Sequence, residues 1–135
     1  MEKEIKLYNL IAALLVFLPE KFTKKNIFSK MAELQWKEYR HLLRGFEFLD
    51  FPDRVSYPYS RLLDKIFDKL KKAGLLESTQ SKYNGDETYI VNAASKKIIR
   101  SEILLHKFTE GQRKELKEMA SKLNNLIKSK GRNLG

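Results

Sequence analysis

Apolar residues recur at every third or fourth position along most of the chain, which is the spacing of one face of an α-helix. The first helix is predicted over Glu2–Leu18, because Pro19 ends the pattern there. Its second half, Leu10–Leu18, is an unbroken run of nine apolar residues, too short to span a bilayer, which takes about 20. The residues before this run carry two Glu and two Lys, and no small-residue cleavage site follows it, so a signal peptide is also disfavoured. We expect a buried first helix and no membrane partner.

Two more helical segments are predicted before residue 50, and Thr23 is placed to cap the first of them. In the first segment Ile27, Phe28, Met31 and Leu34 are expected to face inward. The second segment is predicted because the same spacing continues through Trp36, Tyr39, Leu42, Leu43, Phe46 and Leu49. The spacing leaves open whether the two segments form one continuous helix, and Gly45 weakens the second near its end. Pro52 and Pro58 then break the pattern, because each disfavours helix in the residue before it.

A further helix is predicted over Ser60–Lys72. Its apolar stripe is expected to comprise Leu62, Leu63, Ile66, Phe67 and Leu70. Gly74 follows at the position where a left-handed residue commonly ends a helix. Two short strands come next, Leu75–Gln80 and Thr88–Asn92, and the loop between them contains Asn84-Gly85, a strong turn signal. The sequence therefore predicts a β-hairpin over residues 75–92.

Helical spacing resumes after the hairpin. Thr109 and Gln112 match a capping box, which opens a last helix. The apolar residues of that helix form one stripe: Leu116, Met119, Ala120, Leu123, Leu126 and Ile127. The stripe either packs on Leu10–Leu18 or pairs with a second copy of the chain, and we expect a homodimer through residues 112–128. Ser129–Gly135 is predicted to be a frayed, basic tail.

No repeat, low-complexity tract or flexible linker divides the sequence, so we predict one domain over residues 1–135. Residues 1–92 hold the first helices and the hairpin, and residues 93–130 hold the C-terminal helices. The order helix, helix, proline break, helix, hairpin, helix is typical of a winged helix-turn-helix. In that fold one helix enters the major groove of DNA and the hairpin contacts flanking backbone or minor groove. The predicted fold class is mainly α with a small β-hairpin: a winged helix-turn-helix with an added C-terminal helix pair.

The composition adds a strongly basic balance and an absence of cysteine. The 135 residues contain 27 Lys and Arg against 17 Asp and Glu, a net charge of +10, and no Cys. Without Cys there is no disulfide, thiol nucleophile, iron–sulfur cluster or thiolate zinc site, and a cytoplasmic location is expected. A positive net charge suits a polyanionic partner, although a lysine-rich surface is also simply well solvated. Residues 95–135 hold eleven Lys and Arg and four Glu, so +7 of the excess lies after the hairpin.

Within the predicted fold, the helix that begins at residue 60 is the one expected to enter the major groove. The predicted DNA contacts are Tyr57, Tyr59, Ser60, Arg61, Lys65, Lys69 and Lys72 at this helix and Lys82, Tyr83 and Asn84 in the hairpin loop. Ser60 and Arg61 are expected to read bases, and the lysines to bind phosphate. Asp64 and Asp68 share the exposed surface of the helix, so a plain set of salt bridges running from Asp64 through Asp68 to Lys72 is the alternative interpretation.

Nothing in the sequence indicates catalysis. His41 and His106 lie in separate helical segments, and neither has a partner at metal-ligand spacing. The sequence has no glycine-rich phosphate loop, nucleophile elbow or paired-carboxylate motif. We predict a protein that is not an enzyme and has no catalytic, cofactor-binding or metal-binding residues.

After Tyr59 the stretch SRLLDKIFDKLKKAGLLES, a polar loop and then TYIVNAASKKII resemble winged-helix regulators of the PadR and MarR kind. Five positions match the family pattern, in which a helix ending in Gly-Leu leads into the wing: Leu70, Gly74, Leu75, Leu76 and Tyr89. Asn92-Ala93-Ala94-Ser95 stands in place of the usual Thr-x-x-Gly at the wing exit. The resemblance implies a homodimeric transcriptional regulator that binds a specific sequence of double-stranded DNA.

A second resemblance concerns Tyr57-Pro58-Tyr59-Ser60, which is similar to the Tyr-Gly-Pro-Tyr-Ser motif of the antitoxin-type Panacea domain, although the glycine is missing here. That domain neutralises toxins or acts as a protein-interaction adaptor. The alternative function is therefore a winged-helix protein-interaction or antitoxin-like adaptor module, with a protein partner and no specific DNA site.

Overall fold

The computed structural model describes residues 5–50, 57–80 and 87–132, which are mainly helical and include one small three-stranded antiparallel sheet. The elements, in chain order, are α1 (Leu7–Phe17), β1 (Lys21–Thr23), α2 (Lys24–Lys37), α3 (Arg40–Leu43), α4 (Arg61–Lys72), β2 (Glu77–Gln80), β3 (Glu87–Ile90), α5 (Ala93–Ile99), a π-helical turn (Arg100–Leu104), α6 (Leu105–Lys107) and α7 (Glu110–Arg132). The predicted mainly α class is confirmed, and the sheet has one strand more than the predicted hairpin.

Helix α1 forms the centre of the core. Leu10–Val16 are all buried, so this helix is apolar around its whole circumference rather than along one stripe. Helices α4, α5 and α7 and the π-helical turn all pack on it. The predicted buried first helix is confirmed, but it begins at Leu7 rather than Glu2, because Lys6 has an extended backbone; residues 1–4 lie outside the described part. No described helix is both long enough and apolar enough to cross a membrane.

The sheet joins the predicted hairpin to a strand that the sequence pattern missed. β3 lies in the middle, antiparallel to β2 on one side and to β1 on the other. β1 is three residues long and buries only Phe22, so it is too short to show the alternating pattern of a strand. β2 begins at Glu77, later than predicted, because the amide of Leu75 still donates to the carbonyl of Leu70 at the end of α4 (3.0 Å). The predicted Asn84-Gly85 turn falls outside the described residues.

The region around the end of α2 corrects part of the predicted core. Thr23 caps α2 as predicted, its Oγ1 accepting from the amide of Asn26 (3.1 Å), but α2 ends before α3, so the two segments are not one helix. Trp36 still belongs to α2; two positions past the buried Leu34, it lies on the opposite side of that helix and is 78% exposed. Leu49, which lies after α3 and outside the helices, is 44% exposed. The second predicted segment is therefore helical only at Trp36, which belongs to α2, and over α3 (Arg40–Leu43), so the prediction of a helical stretch reaching Leu49 is wrong.

Helix α4 matches the prediction at both ends. Ser60 caps it, with its Oγ accepting from the amide of Leu63 (3.2 Å), and Gly74 follows it with a φ of +79°, in the left-handed region. The buried stripe consists of Leu63, Ile66, Phe67 and Leu70. Leu62, which the spacing placed in the same stripe, is 38% exposed and belongs to the outward side of the helix.

The C-terminal helices complete the core. Thr109 and Gln112 form the predicted capping box: the Thr109 amide donates to Gln112 Oε1 (2.9 Å) and the Gln112 amide to Thr109 Oγ1 (3.1 Å). The predicted stripe of α7 is buried at Leu116, Met119, Ala120 and Leu123 and half-buried at Leu126 and Ile127. α7 packs on α1 and α2 of its own chain, so its apolar stripe is part of the core. The helix continues to Arg132, so the predicted frayed tail is wrong for residues 129–132, and residues 133–135 lie outside the described part.

Candidate nucleic-acid interface

The outward face of α4 carries four basic side chains. Arg61, Lys65, Lys69 and Lys72 recur at intervals of three or four residues, so they lie on one side of the helix, opposite its buried stripe. All four are exposed. Among residues 5–50, 57–80 and 87–132, none of the four forms an ion pair. We call this set the cationic face.

The two carboxylates of α4 lie at the flank of this face and are paired with other lysines. Lys24 of α2 places its Nζ 2.8 Å from Asp64 Oδ1, and Lys71 places its Nζ 3.3 Å from Asp68 Oδ1. The alternative interpretation joined Asp68 to Lys72, but the partner of Asp68 is Lys71. The acidic residues of α4 are thus neutralised without any side chain of the cationic face.

Glu87, the first residue of β3, links the same two lysines. Lys71 Nζ donates to its Oε2 (3.0 Å), and Lys24 Nζ lies 3.7 Å from its Oε1. Burial alone would raise the pKa of Glu87, but hydrogen bonds from Lys71 and Ser78, together with the nearby ammonium charges, hold that pKa below its ordinary value. The charged carboxylate therefore ties α4 to the hairpin strand β3.

The two lysines are held in their charged forms by these contacts. Burial alone would lower the pKa of Lys24 and of Lys71, but the hydrogen bonds and negative charges of their carboxylate partners raise both above the ordinary value. We call Lys24, Asp64, Asp68, Lys71 and Glu87 the anchor network. It fixes α4 against α2 and β3 and leaves the cationic face directed away from them.

Tyr57 and Tyr59 lie just before α4 and pack against α2. Tyr59 stacks on Phe28 (centroids 5.7 Å apart, planes at 17°), and Tyr57 meets the same ring edge-on (5.8 Å, 69°). The Tyr59 hydroxyl donates to Asp64 Oδ2. Burial, with this hydrogen bond and the charge of Asp64, raises the pKa of Tyr59 to about 12. Both rings are half-buried, so these two predicted DNA contacts are only partly exposed at the surface.

Ser60 is 1% exposed, and its hydroxyl caps α4 instead of pointing outward. The chain thus places Arg61 and the three lysines on one surface, brings the tyrosines against the helix start and buries Ser60. The remaining predicted contacts, Lys82, Tyr83 and Asn84, fall outside the described residues.

An open groove of about 340 Å³ lies beside the start of α4. Its lining residues are Gly45, Glu47, Leu49, Tyr59, Arg61 and Leu62. Two backbone hydrogen bonds (2.8 and 2.9 Å) join Leu49 to Tyr59, which lies just before the start of α4. Leu62 was missed as a surface residue because apolar spacing alone cannot separate the edge of a buried stripe from the exposed side next to it.

Two features lie away from α4. The guanidinium of Arg40 lies over the ring of the exposed Trp36, 5.5 Å from its centroid. His41 Nε2 lies 2.7 Å from Glu115 Oε2 and links α3 to α7. In the part of the chain that the structure describes, no three His, Asp or Glu side chains come together as potential metal ligands.

Compared with protein-family models, curated proteins and solved structures, the chain matches none of them.

Proposed function

We propose that this protein is a cytoplasmic winged-helix DNA-binding protein, a transcriptional regulator that reads the major groove with α4 and contacts flanking backbone with the hairpin over residues 75–92. The topology supports this proposal. α2 and α4 stand in the order of the two helices of a helix-turn-helix, the hairpin follows α4 directly, and β1 completes the sheet against β3. The resemblance to PadR and MarR regulators points to the same function.

The observation that carries the proposal is the cationic face. Four basic side chains share the outward side of α4 without ion pairs among the described residues, while both carboxylates of the helix are paired elsewhere. A merely solvated lysine-rich helix would be expected to pair its own charges at i, i+3 and i, i+4. Here one such pair forms, between Asp68 and Lys71, and it lies outside the cationic face. The remaining surface suits a polyanion.

The four side chains take different roles in this proposal. Arg61 stands in the first turn of α4, the part of a recognition helix that meets base edges, and its guanidinium suits the two acceptors of guanine. Lys65, Lys69 and Lys72 bind phosphates, with Lys82 of the hairpin loop as a fourth. Tyr57 and Tyr59 set the position of the helix. Tyr83 and Asn84 stay predicted hairpin contacts.

A homodimer remains part of the proposal, because two copies of α4 would read two half-sites. The apolar stripe of α7 packs on α1 and α2, so a dimer through residues 112–128 has to use the outer face of that helix. The basic excess of the C-terminal helices then contributes long-range attraction to DNA rather than base reading.

Charge reversal on α4 tests this function. The variant K65E/K69E is expected to bind a pool of random-sequence duplexes about tenfold or more weakly than the wild type, because phosphate contacts are replaced by repulsion. Binding is measured by fluorescence anisotropy at about 0.1 M salt. The matched control is K97E/K107E, which changes the net charge equally at two exposed lysines of α5 and α6, outside residues 112–128.

The control should lose little affinity. Equal losses in the two variants would mean that binding follows total charge, and α4 would then not be the interface.

The alternative is a protein-interaction adaptor, favoured by one specific observation. Trp36 is 78% exposed and lies under the Arg40 guanidinium, and Trp and Arg are the residues most enriched at the energetic centres of protein interfaces. An absence of wild-type binding to duplex DNA at about 0.1 M salt would favour this adaptor over the regulator.

A further inference from the structure

One residue on the outward side of α4 is a large apolar one. Leu62 is 38% exposed in the first turn of the helix, and its neighbours on that side are Arg61, Lys65 and Lys69. The buried stripe on the inward side of the helix does not include it and consists of Leu63, Ile66, Phe67 and Leu70. Leu62 also lines the open groove together with Leu49 and Tyr59, so an apolar side chain stands beside Arg61 at the start of the proposed recognition helix.

We propose that Leu62 contacts the 5-methyl group of a thymine in the major groove, beside the base pair that Arg61 reads. This inference rests on the proposed DNA-binding function and adds a specificity to it. The recognised sequences then contain a thymine close to a guanine within each half-site.

The chemistry of the groove selects thymine. In the major groove the other bases present hydrogen-bond donors and acceptors, whereas thymine adds an apolar C5-methyl group. Phosphates and sugars give an aliphatic side chain no comparable partner. Because Leu62 and Arg61 are adjacent in sequence, they project about 100° apart around the helix and reach different base pairs.

The groove beside Leu62 also disfavours a phosphate at this point. Glu47 lines the same groove as Leu62 and Arg61, and its carboxylate forms no ion pair with the other described residues. A negative charge there repels backbone phosphate but can accept a hydrogen bond from a base amino group. Leu49 and Tyr59 add apolar walls. The combination suits a base edge better than the sugar–phosphate backbone.

The test removes the methyl group from the DNA and the side chain from the protein. Duplexes are first selected from a randomised library with the wild-type protein, and each thymine of the selected site is then replaced by uracil, which lacks only the 5-methyl group. At one thymine position the wild-type Kd should rise about fourfold, the value of one apolar methyl contact.

The variant L62A should bind the thymine duplex with a similar loss and should no longer respond to uracil. The matched control is L105A, which removes the same side chain from α6, where Leu105 is 57% exposed; it should keep the wild-type response to uracil.

The outcomes separate the two proposals. Selected duplexes that the wild type binds equally well with thymine or uracil would overturn the role of Leu62 and leave the DNA-binding function standing. A uracil effect of equal size in wild type and L62A would also overturn it, because another residue would then read the methyl group. Failure of the wild type to bind any duplex would overturn both.

Discussion

Ser60 lies where a DNA contact was expected, yet its hydroxyl is occupied by the amide of Leu63 and shielded from solvent. The same residue type serves both roles, since a hydroxyl at a helix start can cap the helix or meet a phosphate. Burial decides between them here, and burial is a property of the packed chain rather than of the local sequence.

Two substitutions of Ser60 separate the roles. S60A should lower the free energy of unfolding by about 1 kcal/mol, while S60G should lower it by a few tenths of a kcal/mol, because glycine is tolerated at a helix cap and alanine is not. Urea unfolding measures both values. The folded variants should bind duplex DNA as the wild type does, and a large loss of affinity in S60G would assign the hydroxyl to DNA after all.

At the scale of single residues, the caps were predictable and the ion pairs were not. Thr23, Gly74 and the pair Thr109 and Gln112 act within three or four residues of their own helix end, so the local sequence specifies them. The contacts of Lys24 with Asp64 and Glu87 join residues far apart in the chain. Only the packing of α2, α4 and β3 brings them together.

At the scale of elements, the anchor network holds α4 against β3 together with the stacking of Phe67 on Tyr89 in the core. Glu87 begins β3 directly after the hairpin loop and receives the ammonium of Lys71 from α4. The position of the hairpin relative to the cationic face therefore depends on a charged contact. Its strength should follow the ionisation of its members.

The substitution E87Q tests this dependence. The pKa of Glu87 lies below its ordinary 4.5 in the folded protein, so its contribution to stability is present above that pH and is lost as the pH falls through the lowered value. E87Q should therefore be less stable than the wild type near neutral pH, and the difference should shrink below about pH 4. Urea unfolding across pH 3 to 7, at about unit steps, measures it.

The matched control for E87Q is E77Q, because Glu77 is exposed in the neighbouring strand β2. It should leave the pH dependence of stability unchanged. A constant difference between E87Q and the wild type across the acid range would contradict an ionic contribution from Glu87.

At basic pH, the contribution of the two lysines to stability depends on pH in the opposite direction. The pKa values of Lys24 and Lys71 are raised above 10.5, so their contribution is present below that pH and is lost as the pH rises through the raised values. The anchor network as a whole is thus intact between mildly acidic and moderately basic pH.

At the element scale, long periodic segments were predicted well and short ones poorly. α1 has a long unbroken apolar run, and α4 and α7 have enough apolar positions to define a face, whereas β1 has three residues and one buried side chain. Trp36 and Leu62 were included in apolar helical patterns because each continues a spacing of three to four residues. The structure exposes both, and the proposed thymine contact and the alternative adaptor function rest on them.

At the scale of the whole molecule, α1 lies between α4 and the C-terminal helices and packs on both. The apolar stripe of α7 was compatible with two partners, α1 or a second copy of the chain, because one stripe of leucines suits either surface. The sequence could not distinguish these two partners, because the outcome depends on whether the rest of the chain leaves a face of α1 free to contact α7.

The substitution L123A tests the role of the stripe. Leu123 is fully buried, so its truncation should lower the free energy of unfolding by about 2 to 5 kcal/mol. Because the contact lies within one chain, the fall in Tm should be the same at low and high protein concentration. A loss of stability that grows on dilution would instead place Leu123 in a contact between two chains.

The salt dependence of duplex binding measures whether the cationic face of α4 binds DNA phosphates. With Lys65, Lys69, Lys72 and Lys82 each neutralising one phosphate, log K should fall with log salt concentration with a slope of about −3 to −4 for each bound protomer, about −0.9 for each phosphate. In K65E/K69E the slope should be smaller in magnitude by about 2 for each protomer. Slopes that are equal in the two proteins, or no wild-type binding at about 0.1 M salt, would contradict the account.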